Sequence, residues 1–478
     1  MDKSSAGSEM DIAGVAARRL SMDVATPGTP GPQPSQQRMA GSAGAGRVLA
    51  SASRGSSGRQ KSLSFWLLLV LYPFAQSLGT YPVEFAAGSV SAEFLFSLVC
   101  TLVVVAEISR GSLKIAPGNP YFLLGLALWL GANVASLLLH LELGTGDMVF
   151  RMLLKAMFGY MVFWVLQTNG GLSVLLKSLA AGCALSGLFT IVLCVETGSL
   201  ELVRQASYAG LDPVALETDV FLGVARAGSG SLLAVWICCI LYPSVASKWK
   251  RAVLLALAVC LLLASMLGLT RAMVVEVVVG MPVLWFAMPR RFRPMVAIGG
   301  LAFAGVIAGV IALSDRWQER VFGETRDQFE AGADPRTVLL LNTPAELMEQ
   351  PLLGHGPGSY PLRMTKYFPV GTVFGMEAGM AAHNSFSRAA VEAGMIGLLG
   401  FTLMMAALGW RAVRRRSKLA LSGISLRLAA IMIFLHVVSR LTFGDGITLN
   451  STWFLIGVLL YLDRSLLREE SRGIAPRL

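Results

Sequence analysis

Few side chains in this sequence can hold a charge close to an apolar setting, and most of those that can are arginines. Arg226, Arg271 and Arg440 lie at the ends of long apolar runs, and Arg336 lies in the polar stretch 314–382. Arg151 and Lys155 stand four residues apart near the start of another run, one helical turn from each other. A guanidinium presents a planar fork of donors that matches phosphate oxygens in pairs. Arg271 falls in the tight turn Leu269-Thr270-Arg271-Ala272, where an arginine that merely snorkels to the interface would look the same. Arg226 precedes Gly228-Ser229-Gly230-Ser231, small residues that let a ligand or another helix come close. His383 and Asn384 stand where a loop becomes an apolar run. A histidine there can accept or orient the proton of a hydroxyl, and a purely structural hydrogen bond is the plainer reading.

The remaining polar features are read more conservatively. Arg388 and Glu392, four apart, are expected to neutralise one another, since neither should face lipid. The turn Gly354-His355-Gly356-Pro357-Gly358 could offer backbone N–H groups, at Gly356 and Gly358, to an anion. It lacks the lysine and strand–helix setting of a nucleotide loop, and His355 is expected to be exposed. His140 and His436 lie within apolar runs and are read as packed or hydrogen-bonded. There is no Asp-x-Asp pair, no His/Cys cluster with metal-ligand spacing and no nucleophile elbow. An arginine-rich set, poor in carboxylates on its side of the protein, suits an anionic substrate handled without a metal or cofactor.

These residues need elements to position them, and the composition says which kind. Of 478 residues 54% are hydrophobic and 14% charged, where a soluble chain carries roughly a quarter charged. The apolar residues gather in runs near 63–81, 89–108, 121–142, 147–167, 172–195, 223–246, 252–270, 271–288, 295–313, 383–410, 426–443 and 447–464. Each is close to the ~20 residues that cross a bilayer as a helix. The predicted fold is an all-α polytopic membrane protein of about twelve transmembrane helices with one large outer loop. The net charge of +11 collects between the runs. Arg110 and Lys114, then Lys248, Lys250 and Arg251, then Arg290, Arg291 and Arg293, then Arg411 to Lys418 all follow even-numbered runs. That regularity places both termini in the cytoplasm and the arginine–histidine set on the opposite face. No basic surface interleaved with aromatics is present, so nucleic acid is not an expected partner.

The expected domains are a basic cytoplasmic tail over 1–62, helices 1–9 over 63–313, the large loop over 314–382, helices 10–12 over 383–464 and a short tail over 465–478. The first segment holds eight basic and four acidic residues and no apolar period, so it is read as a disordered, dispensable tail rather than a signal peptide. The six cysteines all fall within apolar runs and are read as small core residues.

Two stretches then carry a family resemblance. Pro351-Leu352-Leu353-Gly354-His355-Gly356-Pro357-Gly358-Ser359-Tyr360 is followed by His383-Asn384-Ser385-Phe386 and by Glu392-Ala393-Gly394-Met395-Ile396-Gly397. Together they resemble the bacterial O-antigen ligase and O-antigen/exopolysaccharide polymerase family. The resemblance implies a membrane fold of the GT-C-like glycosyltransferase kind. It implies glycan transfer at the periplasmic face of the inner membrane, from an undecaprenyl-diphosphate carrier to a sugar hydroxyl. The essential residues it implies are His383, Arg271 and Arg336, with Arg226 as a further match. Ser387-Arg388 departs from the family, whose members carry apolar residues there. The expected acceptor is a growing glycan or a lipid A-core, and a chain-length regulator and a flippase of the same pathway are expected partners. Polymerisation of repeat units is the first reading and ligation the second. A transporter or flippase is the rival from another class, and the lack of repeated halves counts against it.

Overall fold

The computed structural model describes residues 61–77, 82–85, 88–141, 145–197, 228–267, 271–313, 318, 335–367, 384–414, 425–444 and 446–471. A helix lies in each of the twelve apolar runs. Helix α1 winds as a π-helix over Phe65–Leu71 and continues over Tyr72–Ser77, and α2 is Ala92–Ser109. The strands β1 (Pro82–Phe85) and β2 (Gly88–Ser91) pair antiparallel between them, Val83 opposite Val90. This hairpin departs from the all-helical expectation, because Ser89-Val90-Ser91 alternates with the period of a strand. Next come α3 (Pro120–Leu139), α4 (Gly146–Asn169), α5 (Leu172–Thr197), α6 (Gly228–Leu241), α7 (Lys248–Leu267), α8 (Arg271–Ala287) and α9 (Arg293–Leu313). The loop region contributes α10 (Pro335–Glu349) and the short α11 (Ser359–Met364). The chain ends with α12 (Ser385–Arg414), α13 (Leu426–Phe443) and α14 (Asn450–Ser471).

Six of these helices, α3, α4, α7, α9, α12 and α13, are long and apolar enough to cross a membrane. Side chains such as Phe286, Leu301 and Leu138 are more than 60% exposed, a pattern suited to lipid rather than water. The protein is therefore a polytopic helical membrane protein. Its interior is filled by aromatics on neighbouring helices: Tyr72 stacks on Phe454 at 4.9 Å, and Trp129 on Trp453 at 6.0 Å. Cys100, Cys183 and Cys238 are buried and free as expected, but Cys239 is half-buried and Cys260 is exposed on the outer face of α7, so not every cysteine is a core residue.

One antiparallel seam sets the two ends of the bundle. Near the start of α3, Asn119 Nδ2 donates to the Ala407 carbonyl of α12 at 3.2 Å. Near its other end, Ser136 Oγ donates to the Glu392 carbonyl at 3.1 Å. At the first of these ends Arg411 meets Asp463 at 2.6 Å, Arg464 donates to the Pro117 carbonyl at 2.7 Å, and Lys61 donates to the Asn169 carbonyl at 2.7 Å. That end gathers cations from widely separated parts of the chain. The opposite end, about 30 Å away by the length of α3, holds the glycine turn and the starts of α4 and α12.

Candidate functional site

Helix α12 is thirty residues long but is not one continuous helix. Gly394 has φ +64° and ψ −162°, in the region that favours glycine, and the hydrogen-bond ladder breaks there. A break inside a helix leaves carbonyls on one side and N–H groups on the other without partners. The segment Pro351–Gly356 supplies them. The N–H groups of His355 and Gly356 donate to the carbonyls of Val391 (2.8 Å) and Glu392 (3.1 Å). In return the N–H groups of Met395 and Ile396 donate to the carbonyls of Pro351 (2.8 Å) and Leu352 (3.3 Å). The two backbones lie so close that a Cβ on Gly354 would overlap the Val391 carbonyl, and one on Gly394 would overlap Leu352. The glycine turn and the Glu-x-Gly motif are thus two halves of one joint. Gly356 has its N–H engaged by Glu392, so anion binding through it would have to displace that bond. The turn's first observable role is docking.

Beside the joint, α10 brings up a carboxylate that sequence reading did not place. Glu346 is fully buried and accepts from Arg363 Nε at 2.7 Å, Lys366 Nζ at 2.5 Å and Tyr367 Oη at 2.5 Å. Burial pushes its carboxyl up, but the hydrogen bonds from Lys366, Tyr367 and Arg363 and the Arg363 charge outweigh it, holding the carboxyl below its usual range. Glu349, one turn on, pairs with Arg363 and with Lys366. His355 is buried, against the expectation of exposure, with Nε2 at 2.9 Å from the Glu346 carbonyl. Glu346, Glu349 and His355 bring potential ligand atoms within 4.8 Å of one another, but Arg363 and Lys366 already hold both carboxylates. The expectation of few carboxylates at this end is corrected. The residues are one turn apart on α10, and the chain folds back on them.

Only some of the residues expected to carry chemistry lie at this joint. His383 and Arg226 lie outside the described residues. Asn384 caps α12: its Oδ1 accepts from the N–H groups of Phe386 (2.8 Å) and Ser387 (3.2 Å). Ser385 ties this start to the link after α13, with its Oγ 3.3 Å from both the Gly444 carbonyl and the Ile447 N–H. Arg271 is the first residue of α8, five before Glu276, which meets His436 of α13 at 2.9 Å. The start of α8 thus points to the same end as the start of α12. Arg336 is the second residue of α10, three before Leu339, which packs with Tyr360, Met364 and Val391. Arg151 pairs with Asp147 at 3.1 Å on an exposed face, and Lys155 lies within electrostatic reach of the buried-side Glu93. Arg388 and Glu392 form the expected pair, 3.0 Å apart and buried. Gly358 abuts Thr145 and Met148 at the start of α4.

Sequence reading passed over Tyr72, Glu93, Trp236 and Glu276 within the bundle, while His436, read as packed or hydrogen-bonded, does bond to Glu276. Glu276 accepts from Trp236 Nε1 at 2.8 Å as well as meeting His436. Tyr72 Oη donates to Glu93 at 2.7 Å, and Arg440 donates to Ser451 at 3.0 Å. The signal was present, since each ionisable residue in an apolar run demands a partner.

Residues 256–402 match the family model Wzy_C, described as O-antigen ligase. The match starts in α7, runs through the joint and ends in α12, so it takes in Arg271, Arg336, the glycine turn, His383 and Asn384. Arg151, Lys155 and Arg226 lie outside it. The resemblance to the O-antigen ligase and polymerase family therefore holds for the segment that builds the joint. No curated protein matches the chain. The chain is therefore a polytopic helical membrane protein with one segment, 256–402, similar to the O-antigen ligase family.

Proposed function

We propose that the protein transfers glycan from an undecaprenyl-diphosphate carrier to a sugar hydroxyl at the periplasmic face of the bacterial inner membrane. The observation that carries this reading is the joint between the glycine turn and the break in α12, which ties the two motifs of the family resemblance into one structure beside the start of α12. In the proposal all twelve helices cross the bilayer, both termini are cytoplasmic and the 314–382 region is periplasmic. The clustering of cations at the opposite end supports that orientation.

The chemistry follows from charge. As the anomeric bond breaks, the diphosphate takes up the electron pair, and guanidinium groups preplaced in a partly dry site stabilise it. Arg271 and Arg336 take that role, with Arg226, Arg151 and Lys155 as further contacts to the lipid-linked donor. His383 accepts or orients the proton of the attacking hydroxyl, and Asn384, the cap of α12, is a further contact to the substrate. The reading assigns no metal or cofactor to the reaction. Polymerisation of repeat units is the first acceptor reading. Ligation to lipid A-core is the second, and it is favoured by the description of the matching family.

Purified protein in liposomes, given a synthetic lipid-diphosphate donor, should release lipid diphosphate when a second lipid-linked repeat unit is supplied. Release only with a lipid A-core acceptor would establish the ligase reading. Movement of donor across the bilayer without any release would replace both with a flippase.

A further inference from the structure

At the end of the bundle opposite the joint, a groove of about 330 Å³ opens between the start of α3 and the end of α12. Leu403, Ala406, Ala407 and Trp410 of α12 form its wall, a spacing that puts them on one face of the helix, and Tyr121 closes the other side. Arg411 and Arg414 stand at its mouth. Tyr121 and Trp410 are each 63% exposed, as aromatics at a membrane interface are. The Arg414 guanidinium lies over the Trp410 ring, 5.5 Å from its centroid. Arg411 is anchored by Asp463, which Asn119 also contacts at 3.1 Å. From Leu403 to Arg414 the groove runs about 16 Å along α12. An apolar trough of that length with guanidinium groups at one end matches an acyl chain joined to a phosphate.

We propose that this groove binds an anionic glycerophospholipid of the leaflet facing the basic end, with its phosphate on Arg414 and Arg411 and an acyl chain along Leu403 and Ala406. The bound lipid would brace the α3–α12 seam, whose other end carries the joint. The proposal concerns a site that the transferase reading does not use, and it stands or falls separately from that reading.

Native mass spectrometry of the full-length protein tests it, with titration of phosphatidylglycerol and phosphatidylcholine of identical chains. Phosphatidylglycerol should be retained in preference, and Arg414→Gln should weaken it about fivefold, the equivalent of about 1 kcal/mol for one basic residue at an anionic lipid surface. Leu403→Trp, which fills the trough and leaves the charges, should reduce retention of both lipids. Free glycerol 3-phosphate should not compete. Equal retention of the two lipids, a preference unchanged in Arg414→Gln, or competition by glycerol 3-phosphate would each overturn the proposal. So would a dimer that retains no lipid and is dissociated by Leu403→Trp, because a second copy would then be the occupant.

Discussion

Glu346 shows how a single side chain organises the loop around the candidate site. It receives an arginine, a lysine and a tyrosine at once, so its carboxylate form is favoured in the folded protein. Its folded pKa lies below the unfolded value of about 4.3. The stability it contributes is therefore fully present above that value and is lost as pH falls through the lower, folded one. Thermal melts from pH 7 down to pH 3 should show an acid loss that Glu346→Gln lacks, and parallel curves for the two proteins would refute this. Asn384 offers a second test at this scale. Asn384→Ala should destabilise by about 0.5–2 kcal/mol through loss of the cap. Asn384→Ser should recover most of that loss in the same melt, and failure to recover would mean that the amide does more than cap. Neither role was visible in the sequence. Glu346 sits nine residues from His355 and seventeen from Arg363, so only the fold brings them together, and the sequence marks Asn384 only as the start of an apolar run.

At the scale of elements, the two family motifs turn out to be parts of one structure. The sequence marked both, because glycines in such numbers require turns or close approaches. It could not show that the turn repairs the broken ladder of α12, since that depends on backbone groups rather than side chains. Gly394→Ala brings a Cβ into the Leu352 carbonyl and forces a residue with a side chain to hold φ +64°. The expected cost is about 1–3 kcal/mol for the strained backbone alone, read as a fall in melting temperature together with lost transfer. A variant that melts like wild type would contradict the joint. The helices themselves were legible from the length and polarity of the runs, and their bounds shifted by only a few residues. The β1–β2 hairpin was not legible, because its four-residue strands lay at the edge of an apolar run.

At the scale of the whole molecule, Lys61 before α1, Arg411 of α12 and Arg464 of α14 lie at one end, and the joint occupies the other. The positive-inside pattern depends on loop composition, which sequence shows directly. The intramembrane carboxylates were harder to read: Glu93 and Glu276 count as isolated charges in a sequence and acquire partners only across helices. Residues up to about 55 carry no apolar period, so their deletion should leave glycan transfer intact in otherwise well-folded protein. Loss of transfer on that deletion would assign the tail a role. The central claim is that His383 and Arg271 act on a lipid-diphosphate donor at the end marked by the joint. Its most direct test compares wild type with His383→Ala and Arg271→Ala for release of lipid diphosphate in liposomes at matched, folded protein. Each variant is expected to lose roughly a hundred- to a thousandfold in rate, the usual cost of removing one group that stabilises developing charge; wild-type rates in both variants would show that neither residue acts on the donor.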